Sequence, residues 1–536
     1  MKRRDFLSTA AVAGVTGAVQ QGCSALSETH ASSGPGFDIH PFVKNNPGAV
    51  FVCRTDVISK KDKDAIRGVG QRLAGELIVK TPSGGYPLST RIVVKPNFTG
   101  ARPMDGSPVY EKLGVNTDPN FIEGWIAGMR ESATGNFFIR ESGSPHFWED
   151  MGYYDLARRS GADLRDLSSM DMWDLDRDRD LNFVKIPGGV VFREAAYMAP
   201  INEPNTFLVD IAKFKAHGMG VTASIKNLQG CCPRRFKQFC TRYDKLFASY
   251  EKPYHRYFHR GFEKHIEELY KKHLADGIPR WDRPGDDGGI WMEEWSQRML
   301  DSYSVITKGL SMVEGIYGQD GNGFGIGPHE KLGKYGITSR DYMSNMVVFG
   351  MDPFRIDIVT HWLAGHEPGN FGLFHIGIER GLSDVLDPRD IPLYLWSDGQ
   401  ATPVKLDSLE RTPLVTYYLQ RDYAGQTEPR FHLCDEPFDY SAWKAGKRVG
   451  DCTPSIEELG RDRDNKVVMG LRIPEKQDVY VDVLNSRGER IWRLYAEDLE
   501  PGVHQVVWDG FSSPGLHNVY VRGMGWDAER QIVTYT

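Results

Sequence analysis

Three blocks of this 536-residue chain carry side chains that could do chemistry. The first is Val94-Lys95-Pro96-Asn97. The second runs from Lys213-Phe214-Lys215-Ala216-His217-Gly218 to Thr222-Ala223-Ser224-Ile225-Lys226-Asn227-Leu228-Gln229-Gly230. The third is Met312-Val313-Glu314-Gly315, followed by a glycine-rich run and then Met351-Asp352-Pro353. Lys95, Lys215 and Lys226 supply ammonium groups, while Asn97, Thr222, Ser224 and Asn227 supply hydrogen-bonding groups. Arg140 adds a guanidinium that can grip a carboxylate through two parallel bonds. Several cations in one pocket, within a chain of net charge -7, call for an anionic group on the ligand.

His217 stands between Lys215 and Gly218, where nearby cations disfavour the imidazolium and leave a neutral base near pH 7. His146 is a second candidate base, and Tyr254 and Tyr257 offer phenols as proton donors. A cation for a carboxylate, a base for a carbon-bound proton and an acid for a leaving oxygen are the needs of β-elimination from a uronate. The expectation is therefore an exported polysaccharide lyase acting on a uronate-containing anionic polysaccharide or oligosaccharide. Two other classes remain open: a periplasmic redox or cofactor-binding protein, and a non-catalytic surface protein that binds an anionic ligand.

Other motifs fall short of their chemistry. His255 and His259 have helical i,i+4 spacing, but no Glu follows the first His as in zinc proteases. Asp174, Asp176, Asp178 and Asp180 alternate like calcium ligands, yet the Gly and the closing Glu of that loop are missing. They read as a solvated turn. Residues 318–327 lack the Lys-Ser/Thr of a phosphate loop and the G-x-G-x-x-G of a dinucleotide fold, and read as a pocket wall. No metal and no cofactor is expected.

The elements that must position these residues alternate between strand and helix. Strands are expected at 49–54, 91–95, 136–140, 206–211, 303–307 and 345–349, and helices at 60–79, 120–132, 148–160 and 353–363. This alternation predicts an α/β fold, a layered sheet with covering helices. The charged, aromatic stretch 232–301 reads as a helical insertion within an α/β domain of residues 48–391. Residues 392–469 read as a loop-rich connection. Short strands with turn signals over 470–536 predict a small immunoglobulin-like β-sandwich. The three blocks fall where strands end, the edge at which open sheets place their ligands.

In kind and order these blocks resemble the family catalogued as domain of unknown function 362. That family carries Lys-Pro-Asn after an early strand, a Lys…His…Thr…Lys-Asn…Gly block and a later Glu-Gly with Asp-Pro. The resemblance spans residues 50–385 and implies a shared fold and pocket, not a reaction. The ferredoxin-like cysteine cluster of some members is missing here. Pro501-Gly502 and Trp508-Asp509-Gly510 resemble immunoglobulin-like repeats of the flagellar-hook-cap type, which implies a spacer or sorting role.

The first residues give an address. Arg3-Arg4-Asp5-Phe6-Leu7 matches the twin-arginine export signal. The weakly apolar run behind it is shorter than the roughly 20 residues that span a bilayer, so residues 1–23 read as a leader. Gly22-Cys23-Ser24 resembles a lipoprotein cleavage box with Cys23 as the lipidated residue, although Gln20 and Gln21 depart from that pattern. Residues 24–47 read as a tether. Periplasm or cell surface is the expected location, with membrane contact only through a lipid anchor. The acidic charge balance argues against nucleic acid as a partner. Of the seven cysteines, Cys434 and Cys452 are the expected disulfide pair.

Overall fold

The computed structural model describes residues 34–98, 113–133, 135–143, 148–167, 174–217, 220–237, 254–279, 281, 289–307, 309–320, 340–414, 416–418, 430–432, 437–446, 455–461, 466–473, 477–487, 489–499, 502–510, 514–523 and 526–534. Cys23, Arg3, Arg4, His146, Cys434 and Cys452 lie outside this set, as do the side chains of His217 and Tyr254.

A nine-stranded mixed sheet organises the chain. In sequence its strands are β1 (Val50–Arg54), β2 (Arg91–Pro96), β3 (Phe137–Ile139), β4 (Asp163–Leu164), β5 (Thr206–Lys213), β6 (Leu310–Asp320), β7 (Arg340–Gly350), β8 (Leu393–Ser397) and β9 (Gln400–Pro403). In space the order is β9-β8-β1-β7-β6-β5-β2-β3-β4. The run β6-β5-β2-β3-β4 is parallel throughout, whereas β7 runs against both of its neighbours. The central strand β5 reads Thr-Phe-Leu-Val-Asp-Ile-Ala-Lys and is buried at all eight positions. Both faces of such a parallel strand need cover.

Two helix layers provide it. On one face lie α1 (Lys63–Leu77), α2 (Pro119–Met129) and α3 (Tyr153–Ser160), whose Leu73, Trp125 and Leu156 pack on Val209, Ile211 and Met312. The other face carries α4 (Ser224–Leu228), α5 (Phe262–Ala275), α6 (Gly289–Ser304), α7 (Pro353–Leu363) and α8 (Gly372–Glu379). Their cluster joins Trp295, Met299, Phe354 and Val359 to Leu208, Ala212 and Val313. Pro at the first position of α2 and α7, behind Asp118 and Asp352 as caps, fixes where these helices start.

The inserted stretch supplies the deepest helix. Nearly all of α6 is buried, including Glu293, Glu294, Arg298 and Asp301. Asp301 accepts hydrogen bonds from the backbone of Val190, Val191 and Phe192 at 2.9, 2.7 and 2.8 Å and pairs with Arg380 at 2.7 Å. A buried carboxylate is tolerated where donors replace its lost water in this way.

Several expectations need correction. The strand expected at 303–307 is the end of α6 and its exit, because helix packing overrides the β-branched local sequence. Of the run expected as a pocket wall, Gly318 to Asp320 is strand in the ladder of β6 with β7, and residues 321–327 lie outside the described residues. Residues 392–469 are not merely loops, since β8 and β9 complete one edge of the main sheet. The tether is structured from Gly36, where Gly36–Ile39 pairs with Ile78–Thr81. His255 and His259 do not share an α-helix, because Tyr254–Tyr257 is a 3-10 turn and Phe258 bridges Phe192. Asp180 is no solvated turn residue: it is buried and paired with Arg165 at 2.9 Å, at the end of the short helix Arg177–Asp180. At the C-terminus, sheets of three and four antiparallel strands share one apolar cluster that includes Met469, Leu471, Val481, Trp508 and Val519. This unit begins at Ser455, ahead of the expected boundary, since a register shift at Glu458/Gly460 blurs the alternation of its first strand.

Replacing Asp301 with Ala should lower unfolding stability by about 3–5 kcal/mol, because Arg380 loses its buried partner. Denaturant unfolding followed by circular dichroism reads this loss. A change within error would show that Asp301 does not anchor α6.

Candidate functional site

Side chains alternate between the two faces of a strand, so the charged residues at the carboxyl ends of β2, β5 and β6 divide into two sets. Lys95 and its register partner Asp210 point to the α4–α7 face. Lys213 and its partner Glu314 point to the α1–α3 face.

On the first face the Lys95 ammonium is fully buried. It is paired with Glu141, which follows β3, and donates to Asn227 Oδ1 at 2.9 Å and to its neighbour's carbonyl, Pro96 O, at 2.7 Å. Asn227 sits on α4 and donates from Nδ2 to Asp210 Oδ1 at 2.6 Å and to Lys95 O at 3.1 Å. Burial pushes the Asp210 carboxyl up to about 7, with Lys95, Ser224 and Asn227 holding it from going further. Gly230 closes the cluster: a Cβ there would stand 2.7 Å from Glu141 Oε1 and 2.8 Å from Lys95 Nζ. The Lys-Asn…Gly spacing of the second block thus places an amide on the ion pair and lets the backbone approach it.

On the second face Lys213 Nζ meets Glu314 Oε2 at 2.6 Å, with both side chains fully buried. Lys213 also lies 3.6 Å from the Tyr317 ring centroid, and Tyr317 donates to Asp118 Oδ2 at 2.6 Å. Burial raises the Glu314 pKa, the Lys213 charge opposes that rise, and Asp118 adds to it. The sheet itself separates these two clusters.

Beside the first cluster a cavity opens between the loop before α4 and helices α6, α7 and α8. Its lining includes Thr222, Lys226, Trp281, Asp357, His361 and Phe371. Of the lining residues, Lys226, Pro279 and Leu373 are only partly buried and form the mouth. The open space is about 490 Å³ with the mouth included, but the centre of a water molecule has only about 20 Å³ to move in. That interior suits about one water, so a larger ligand must sit at the mouth. The Lys226 ammonium lies there, 5.6 Å from the Trp295 ring centroid. Asp357 holds the start of α4 by accepting the Ser224 and Ile225 N–H groups at 2.7 and 3.0 Å. Burial nevertheless raises its pKa well above the carboxylate range, those two bonds opposing the shift. His361, one turn along α7, has Nδ1 2.8 Å from Asp357 O. A carbonyl can only accept, so Nδ1 carries a proton and Nε2 is the acceptor nitrogen of the neutral ring.

The expected site residues are therefore only partly brought together. Lys95 joins Asn227, Lys215 donates to Thr222 Oγ1 at 3.2 Å, and Thr222 and Lys226 share the cavity wall. Arg140 does not face them. It donates to Ala199 O at 2.6 Å, to Asp163 O at 2.8 Å and to Asp163 Oδ1 at 3.2 Å, and so ties β3 to β4 instead of gripping a ligand. Asn97 braces the turn before α2 through Thr117 Oγ1 and Val115 O. Tyr257 is buried among Phe183 and Phe236, so its phenol is packed in the core. His217 pairs through its backbone with Gly220 in the hairpin that precedes α4. Asp210, Glu141, Asp357, His361 and Trp281 were not anticipated. A carboxyl in the apolar middle of a strand and an Asp/His pair four apart on an apolar helix were signals that could have found three of them.

Fold and site together define an α/β protein with a mixed sheet, charge clusters buried at its carboxyl edge and a small cavity alongside. The chain belongs to the family described as Domain of unknown function (DUF362), whose model matches residues 92–361. That span runs from β2, which carries Lys95, to His361 in the cavity wall. No curated protein and no solved structure matches the chain.

Replacing Lys95 with Met strands the Glu141 charge and should cost about 3–5 kcal/mol of stability. Adding Glu141→Leu should recover most of that loss. Equal stability of the single and double variants in urea unfolding would show that the pair is not a coupled unit.

Proposed function

We propose that this is an exported protein that binds an anionic, ring-bearing ligand at the cavity mouth, with a uronate-containing polysaccharide as its substrate and β-elimination as its reaction. The observation that carries the reading is Lys226, a partly buried lysine on a cavity lining that Trp281 shares. The ammonium meets the carboxylate of a uronate there. Lys95 and Arg140 are held by internal partners and Lys215 donates to Thr222, and of the four expected cations Lys226 is the one on the cavity lining.

In this reading Lys226 neutralises the carboxylate and so acidifies the neighbouring C–H. His361 takes that proton at Nε2 through the water that the interior holds, its tautomer set by Asp357 O; the C–H electron pair becomes the C=C bond as the C–O bond to the leaving oxygen breaks, and that oxygen takes a proton from solvent at the mouth. His217, on the hairpin that leads into the cavity wall, is the alternative base. The C-terminal pair of sheets serves as an immunoglobulin-like spacer, and residues 1–23 carry the chain out through the twin-arginine route, with Cys23 as a lipid attachment point.

Incubation of the purified protein with alginate, pectin, ulvan or glycosaminoglycans should raise the ultraviolet absorbance of a C=C bond conjugated to a carboxylate. Lys226→Met should lower kcat/KM by about 100-fold, and His361→Gln and His217→Gln should separate the two bases. No rise on any of the four polymers overturns the lyase. Polymer binding that persists without turnover, and weakens in Lys226→Met, leaves a non-catalytic binding protein.

Exchanging Arg3 and Arg4 for Lys should leave the protein in the cytoplasmic fraction of the producing cell. Unchanged periplasmic recovery would overturn the twin-arginine assignment.

A further inference from the structure

Trp281, fully buried, forms one side of the cavity. Its six-membered ring lies so close to Gly372 that a Cβ there would stand 2.1 Å away. The indole N–H donates to Glu293 Oε2 at 2.6 Å. The same carboxylate meets His273 Nδ1 at 2.6 Å and accepts Gln297 Nε2 at 2.8 Å. His273 Nε2 meets Glu379 Oε2 at 2.9 Å, and Glu379 pairs with Lys272 at 2.7 Å near the surface. A continuous chain of polar contacts thus runs from cavity wall to solvent.

The imidazole stands between two carboxylates, and a carboxylate only accepts. A neutral imidazole has one N–H to give, whereas the imidazolium has two. Only the charged form satisfies both neighbours. Glu293 is fully buried, and among the described residues His273 is the cation in contact with it. Loss of that proton would leave Glu293 a buried charge with neutral donors and no counter-ion, which is costly.

We infer that Glu293, kept paired by protonated His273, is a positioning residue for the Trp281 wall of the cavity, and that this wall loosens when His273 loses its proton. The groups facing His273 are Glu293 from α6, Glu379 and His375 from α8, and Lys272 on its own helix, itself near Asp276. Burial pulls the His375 pKa down to about 4, so it stays neutral through the range concerned. For His273, burial lowers the pKa, but the hydrogen bonds to Glu293 and Glu379 more than reverse this and raise it to about 9. The folded value lies above the ordinary one of 6.5, so the stabilisation is complete below that pH and is lost as pH rises through the folded value.

Hydrogen–deuterium exchange of the full chain tests this without any ligand. Protection of Ile278, Trp281 and Gly289–Ser304, corrected for intrinsic exchange, should fall about tenfold per pH unit from the ordinary imidazole value to the His273 midpoint and then level off. Glu379→Gln removes one of the two carboxylates and should end the fall at lower pH. Glu293→Gln keeps an acceptor for Trp281 while removing the buried charge, and should flatten the profile. A flat wild-type profile, or a Glu293→Gln profile as steep as wild type, overturns the inference. Only its effect on ligand rests on the proposed binding at the cavity mouth. D-Galacturonate affinity should fall over the same pH range. If protection follows pH as expected while galacturonate binds at no pH, the latch stands and the binding proposal fails.

Discussion

A lysine ammonium carried beneath the surface of a sheet loses its water, and no single hydrogen bond replaces what the charge gave up. Lys95 and Lys213 meet this constraint at the carboxyl ends of adjacent parallel strands. Each takes a carboxylate from a neighbouring segment: Glu141 beyond β3 for Lys95, and Glu314 on β6 for Lys213. Because successive side chains leave a strand on opposite faces, the pairs form on opposite sides of one sheet. The surroundings are then fixed by what else each pair needs. Asn227 must lie over Lys95, which demands α4 and a glycine at 230, while Tyr317 and Asp118 must lie beside Lys213, which demands the start of α2.

The same constraint decides what the cavity can recruit. Lys95 and Lys213 are held by their carboxylates, and the cation on the cavity lining is Lys226 of α4. The short helix thus has two sides with two tasks, Asn227 facing inward to the sheet and Lys226 outward to the mouth. Its start is set by the Asp357 carboxylate of α7, so the position of the cation depends on a helix that follows it in sequence by more than a hundred residues.

On the far wall α6 shows how a helix rich in charge can be buried. Glu293 is shared among an indole, an imidazole and an amide, and Asp301 among three backbone donors and an arginine. Acceptors that serve several donors lock the elements which bring those donors, here the segment 190–192, α5 and α8. The aromatic content of the insertion is largely interior: Trp281, Trp291 and Trp295 are wall and core, not an exposed platform.

Much of the architecture was legible in the order of residues. Alternating strand and helix signals identified β1, β2, β3, β5 and α7, whose start the fold fixes with Asp352 as cap and Pro353 at its first position. The blocks of Lys, Asn and Gly located the carboxyl edge of the sheet, and they agree with the family match. What the order of residues could not decide was which way each charge faces and whom it meets. Lys95 and Lys215 read alike on paper as cations for a ligand, but one finds Glu141 across β3 and the other the Thr222 hydroxyl. Arg140 reads as a carboxylate clamp until β4 and the Ala199 carbonyl fold around it. β8 and β9 were missed because their edge position is set by pairing with β1, far away in sequence. Local pattern determines which segments become strands or helices; desolvation in the assembled fold alone determines which charges remain available for chemistry.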